Sequence, residues 1–136
     1  MEVTERVNEI YERISVEDNE FIKRFCRALD CIDTAVMVLE EAFDANEGGD
    51  RDTHRHNVIR AMEWIKEAEE LFKELGIDLY NTQLYRNLRA FFAYVENLKE
   101  PEGTDVILTD HLCAIHESYV KFIMSVAVLR YSTENR

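Results

Sequence analysis

The chain has 136 residues, 46% of them hydrophobic, with one Pro and four Gly; this suffices for a single domain with a buried core and leaves few helix breakers. Its 28 acidic residues outweigh 16 basic ones for a net charge of −12, which repels phosphate backbones and anionic headgroups, so neither nucleic acid nor membrane is expected as a partner. Three Cys, an odd number, exclude a fully paired disulfide framework, and Cys26 and Cys31 are expected as buried free thiols in a reducing compartment.

The apolar positions follow a helical period from end to end. Val3, Val7, Ile10 and Ile14 make one stripe and predict a short helix within residues 1–15. Ser15 followed by an acid three residues later is a capping-box pattern, so a second helix starts at Val16. Ile22, Phe25, Leu29, Ile32, Val36, Leu39 and Phe43 carry it to the turn-forming run "DANEGGD". A third helix, with Asp52 or Thr53 as its cap, holds Val58, Ala61, Ile65, Ala68, Phe72 and Leu75 on one seam and stops at Gly76. A fourth, capped by Asn81 or Thr82, places Leu84, Leu88, Phe91, Val95 and Leu98 together; Pro101 and Gly103 then break the chain. The last helix starts near Thr104 and carries Leu108, Leu112, Ile115, Tyr119, Phe122, Val126 and Leu129.

No segment alternates as a half-buried strand does. Four long helices with short connections predict an all-α fold, an antiparallel up-down four-helix bundle with an additional short N-terminal helix, in one domain spanning residues 1–136. No secretory apolar segment opens the sequence and no long apolar run is evident, so a cytoplasmic location is expected.

The last two helices carry more apolar surface than one seam needs. Tyr85, Phe92 and Tyr94 lie off the seam of the fourth helix, and Val120, Ile123, Ala127 and Tyr131 repeat beside the seam of the fifth, led by His116. A helix apolar over more than one stripe meets more than one neighbour. The extra surface is therefore expected to bind an amphipathic helical segment of a protein partner, or else to meet the N-terminal helix or a second copy of the chain.

The densest cluster of chemical groups is "GGDRDTHRH", Gly48 to His56. Arg51 and His56 have the Arg-x4-His spacing of a class of small helical RNases, but Arg51 follows a Gly-Gly turn and the acidic protein repels such a substrate. His54 and His56 are two apart, which sets them on nearly opposite sides of a helix, and no His pair has the i, i+4 spacing of a helical metal site. "EAEE" offers Glu67 and Glu70, but the Glu-x-x-Asp that completes a helical pyrophosphatase site does not follow it. No Gly-rich phosphate loop or Cys-x-x-Cys is present. The stretch reads as a corner between helices, the chain as a non-enzyme, and no cofactor, metal or catalytic residue is expected. An RNase or metal-dependent hydrolase is the least favoured alternative.

From "RALDCIDTAVMVLEEAF" onward, over about residues 27–129, the order of features resembles the flagellin-export chaperone family. A long helix is followed by a polar loop, then by a helix with a central Arg60-Ala61 pair in "VIRAMEWIKEAEELF", then by the linker "LGIDLYN". Next comes "NLRAFFAYVENL", with Asn87, Leu88 and Tyr94 on favoured positions, and a last long helix. The family's Tyr-rich N-terminal segment with Ser-Pro is missing, Tyr11 apart. The resemblance implies a cytoplasmic chaperone that keeps an aggregation-prone helical partner unassembled, with a segment of that partner lying in apolar grooves between helices.

Overall fold

The computed structural model describes residues 16–101 and 106–134, with side chains described for 19–101 and 106–130. The helix expected within residues 1–15, the Ser15 cap, the start near Thr104 and the side chain of Tyr131 lie outside them. Four α-helices and no strand are found among the described residues: α1 (Val16–Glu47), α2 (Arg51–Glu74), α3 (Gln83–Glu96) and α4 (Val106–Glu134). A single 3-10 turn, Leu79–Asn81, precedes α3.

The α1–α2 connection is shorter and more economical than the sequence suggested. Gly49 has φ +80°, the left-handed region that side chains avoid. The Gly49 amide donates to the Asn46 carbonyl at 3.1 Å and the Asp50 amide to the Ala45 carbonyl at 2.8 Å, the paired bonds of a Schellman stop. Asp50 then caps α2 at once, its carboxylate accepting from the Thr53 amide and hydroxyl at 3.1 and 2.6 Å. The cap is therefore Asp50, not Asp52 or Thr53: one residue ends one helix and begins the next, so α2 starts two or three residues sooner than expected. The far end of α2 repeats the device. Gly76, at φ +76°, donates to the Lys73 carbonyl and Ile77 to that of Phe72, at 3.0 and 2.9 Å. Thr82 caps α3 as expected, accepting from the Tyr85 amide at 3.1 Å.

Small residues set the closest helix pair. Ala28, Ala35 and Ala42 on α1 and Ala61 and Ala68 on α2 recur seven residues apart, all 0% exposed, and α1 and α2 make the most extensive backbone approach in the molecule. Alanine rows let two helices approach to the short end of the usual interaxial range of about 8–10 Å. Ile32, Leu39, Phe43, Ile65 and Phe72 fill the spaces beside these rows. The α1 seam differs from expectation at one end, where Ile22 is 40% exposed. On α3, the whole expected seam is buried.

Side-chain contacts join the helices in pairs. His54 meets Val95 and Arg89 meets Met62 between α2 and α3. Asn87 donates to the Ala114 carbonyl and the Ser118 hydroxyl between α3 and α4. Phe25 meets Phe122, and Tyr119 meets Asp33, between α1 and α4. Aromatic rings bridge α4 to the α1–α2 pair: Phe122 lies 5.2 Å edge-on from Phe72 and 6.0 Å from Phe25. This aromatic packing holds α4 farther out than alanine rows would. Of its expected seam, Ile115 and Phe122 are buried, whereas Leu129 is 72% exposed.

Candidate partner-binding surface

The cluster in "GGDRDTHRH" turns out to hold the end of α3. Helix C-termini leave carbonyls without intrahelical donors and carry partial negative charge. His54, 3% exposed, presents Nε2 to the Val95 carbonyl at 2.7 Å; a carbonyl only accepts, so Nε2 carries the proton. The Arg51 guanidinium donates to the Leu98 carbonyl at 2.6 Å and also to the Asn46 side-chain oxygen. Buried Asn46 in turn donates to the Glu100 carbonyl at 3.4 Å. Three side chains of one corner thus meet one carbonyl in the last turn of α3, that of Val95, and two in the segment after it, those of Leu98 and Glu100. Arg51 and His56 do not converge, since Arg51 is committed to backbone and His56 is exposed.

The other histidines are equally scattered. His111 stacks on Phe91 and Tyr94, with centroids 5.6 and 5.1 Å away, and His116 is exposed on α4. No group of three metal-ligating side chains forms among the described residues. The thiols require a correction: Cys31 is buried, but Cys26 and Cys113 are exposed. Cys26 falls on the outer side of α1, where the wheel leaves the core. Burial, followed by the negative charge of Glu67, pushes the Cys31 thiol up and keeps it protonated.

Of the seven residues expected to bind a partner, the six with described side chains, all but Tyr131, divide between two places. Tyr85 is half-buried, 5.2 Å from the Tyr80 ring, with its hydroxyl raised by burial and by Glu69 on α2. Phe92 is only 5% exposed and lies beneath the Arg89 guanidinium; it belongs to the core because α3 packs against more than one neighbour. Tyr94 is half-buried between Phe43 and His111. Val120, Ile123 and Ala127 do share one flank of α4, with Val120 41% exposed and Ile123 half-buried.

That flank belongs to a larger apolar surface. Met124 and Val128 are each 61% exposed and Val106 65%. The reason is a mismatch in length: α3 has 14 residues and α4 has 29, so at about 1.5 Å per residue roughly 20 Å of α4 has no α3 beside it. The expectation that the chain has no long apolar run needs correction here. Val106–Arg130 is long and apolar enough by length and composition to cross a membrane, and 17% of its apolar 18-residue window is buried in the protein. Its charges hide the run from a quick reading. Asp110, Glu117 and Lys121 recur at intervals of seven and four and so occupy one narrow stripe, with Arg130 the one further Asp, Glu, Lys or Arg of the stretch, at its far end.

Between α1 and α4 runs a groove of roughly 330 Å³. Ile32, Val36 and Met37 line one side and Ile115, Val120 and Ile123 the other. Asp33, Glu40, His116 and Tyr119 stand along it. Burial, followed by the charge of Asp44, raises the Glu40 carboxyl. Burial and the neighbouring Asp30 raise that of Asp33 against the opposing hydrogen bond from Tyr119. The Tyr119 hydroxyl, partly buried and facing Asp33, is pushed up to about 12 and donates to Asp33 at 3.4 Å. Sequence reasoning missed the α1 wall; its signal was Met37 at a surface position amid an acidic run. No family model matches the chain, and no curated protein or solved structure matches it.

Proposed function

We propose that the chain is a non-enzymatic binding protein of the cytoplasm, an antiparallel up-down four-helix bundle with residues 1–15 as an additional short helix. It holds an amphipathic helical segment of a partner protein against apolar surface on α4, in the manner of an export chaperone. The observation that carries this reading is the exposed apolar flank of α4 beside the α1/α4 groove, with Val120, Met124 and Val128 at 41, 61 and 61% exposure. A contiguous exposed apolar surface of this kind marks an interaction site, and a groove between two helices presents anchors at the i, i+3, i+4 spacing of a helical ligand. The reading requires no cofactor.

A second reading, a homodimer, is favoured by the spacing of the same three residues. Val120, Met124 and Val128 form an i±4 row, the ridge by which one helix packs into the grooves of another. Light scattering on the full chain after size exclusion, at tens of micromolar, separates the two. A monomer whose exposed surface binds an apolar dye, with dye binding reduced by Met124→Ser and Val128→Ser, supports the binding protein. A dimer that these substitutions split refutes it in favour of self-association.

A further inference from the structure

The α1/α4 groove has a charge as well as a shape. From Ala28 to Asp50 the chain contains seven acidic residues, Asp30, Asp33, Glu40, Glu41, Asp44, Glu47 and Asp50, and no Lys or Arg. Ion pairs among the described residues are Arg24–Glu20 and Lys121–Glu117, so neither Asp33 nor Glu40 on the groove has a cation paired to it. The basic group on the groove itself is His116. The floor is apolar, with Met37 51% and Val120 41% exposed at its lip. We infer that this groove accepts a cationic amphipathic helix of a partner protein, its apolar face between Val36, Met37, Val120 and Ile123 and its Lys or Arg residues over Asp33, Glu40 and the adjoining acids of α1. The inference rests on the partner-binding reading above and specifies its ligand.

Charge selects this occupant over the alternatives. Residues 1–15 contain four Glu and two Arg, so the chain's own N-terminal segment brings further negative charge to an acidic groove. A second copy brings a net −12 and the same acidic α1. Like charges facing one another across an interface select against such pairings, while opposite charges speed encounter and fix register. Both groove carboxyls are raised by burial and by an acid neighbour, the condition a partner's cation relieves.

The test uses the full chain and two labelled synthetic peptides of about eighteen residues, enough for five helical turns. Both carry Leu on one face; one has Lys on the other face and its twin has Glu. Fluorescence anisotropy at low and moderate salt should show the Lys peptide binding at least about tenfold more tightly, with the difference shrinking as salt screens it. Asp33→Asn with Glu40→Gln should weaken the Lys peptide about three- to tenfold; Asn at position 33 still accepts the Tyr119 hydroxyl, so the fold is retained. Glu63→Gln with Glu70→Gln, the same charge removed from exposed positions on α2, should change affinity by less than about twofold. Met37→Ser with Val120→Ser should weaken whichever peptide binds.

Equal binding of the two peptides, with the Met37 and Val120 loss intact, overturns the cationic ligand and leaves the groove. Equal losses from the two charge-removing pairs also overturn it, because attraction is then to the whole acidic surface. Binding of neither peptide, or a dimer that buries Met37 and Val120, overturns both the inference and the reading beneath it.

Discussion

Replacing His54 by Phe tests whether the cluster between the Gly-Gly turn and α2 is architecture or chemistry. Phenylalanine keeps a flat ring in a site only 3% exposed but removes the donor that meets the Val95 carbonyl at 2.7 Å. That carbonyl retains a longer bond from the Leu98 amide, at 3.3 Å, so it is weakened rather than orphaned. The cost is therefore about 1–2 kcal/mol, below the roughly 3 kcal/mol of a fully stranded buried acceptor. For a domain of this size the melting temperature falls by about 4–8 °C. Urea and thermal unfolding followed by far-UV circular dichroism measure it. His56→Phe, on the exposed side of the same turn of helix, is the control and should stay within about 0.5 kcal/mol of the parent. A His54→Phe protein as stable as the His56→Phe one would refute the assignment of this histidine to the end of α3 and reopen a chemical role for it.

Gly76→Ala should cost about 1–2 kcal/mol from conformation alone, since an added Cβ meets nothing within 4 Å but the backbone sits at φ +76°; the same denaturation experiment reads it. Phe122→Ala removes the ring that joins α4 to Phe25 and Phe72 and should cost about 3–5 kcal/mol. Hydrogen exchange should then show α4 losing protection before α1 and α2. Glu40 has a folded-state carboxyl raised above its ordinary value of 4.5. Between that value and the raised one the native state holds the proton more tightly, so this group lowers stability as pH rises through the window. Glu40→Gln should be more stable than the parent at neutral pH and indistinguishable from it below pH 4.5, as urea titrations at both conditions will show.

Much of the fold was legible because helical periodicity is a local property of the chain. The α3 seam is buried as its spacing requires, as is that of α2 except for half-buried Leu75, the Thr82 cap is one of the two the sequence offered, and Gly76 ends α2. The seven-residue Ala rows that bring α1 and α2 together are equally plain in the sequence once small residues are counted with large ones. The Asp50 cap was missed because Asp50, Asp52 and Thr53 offer similar oxygens. Only the course of the backbone after Gly49 decides which of them faces the free amides.

The amino-acid sequence by itself determined four long helices, where they break and most of the seam by which each meets the core, since these follow from side-chain spacing along a 3.6-residue period. Tertiary structure decided what the polar corner and the extra apolar residues are for. Whether Arg51 and His54 are free for chemistry depends on carbonyls at Val95 and Leu98, more than forty positions away, and no local pattern encodes that distance. Phe92 and Val120 look alike on a helical wheel, yet one is 5% and the other 41% exposed. Phe92 is enclosed by the neighbours of α3, whereas Val120 opens onto a groove whose far wall, α1, is fixed only when the helices pack.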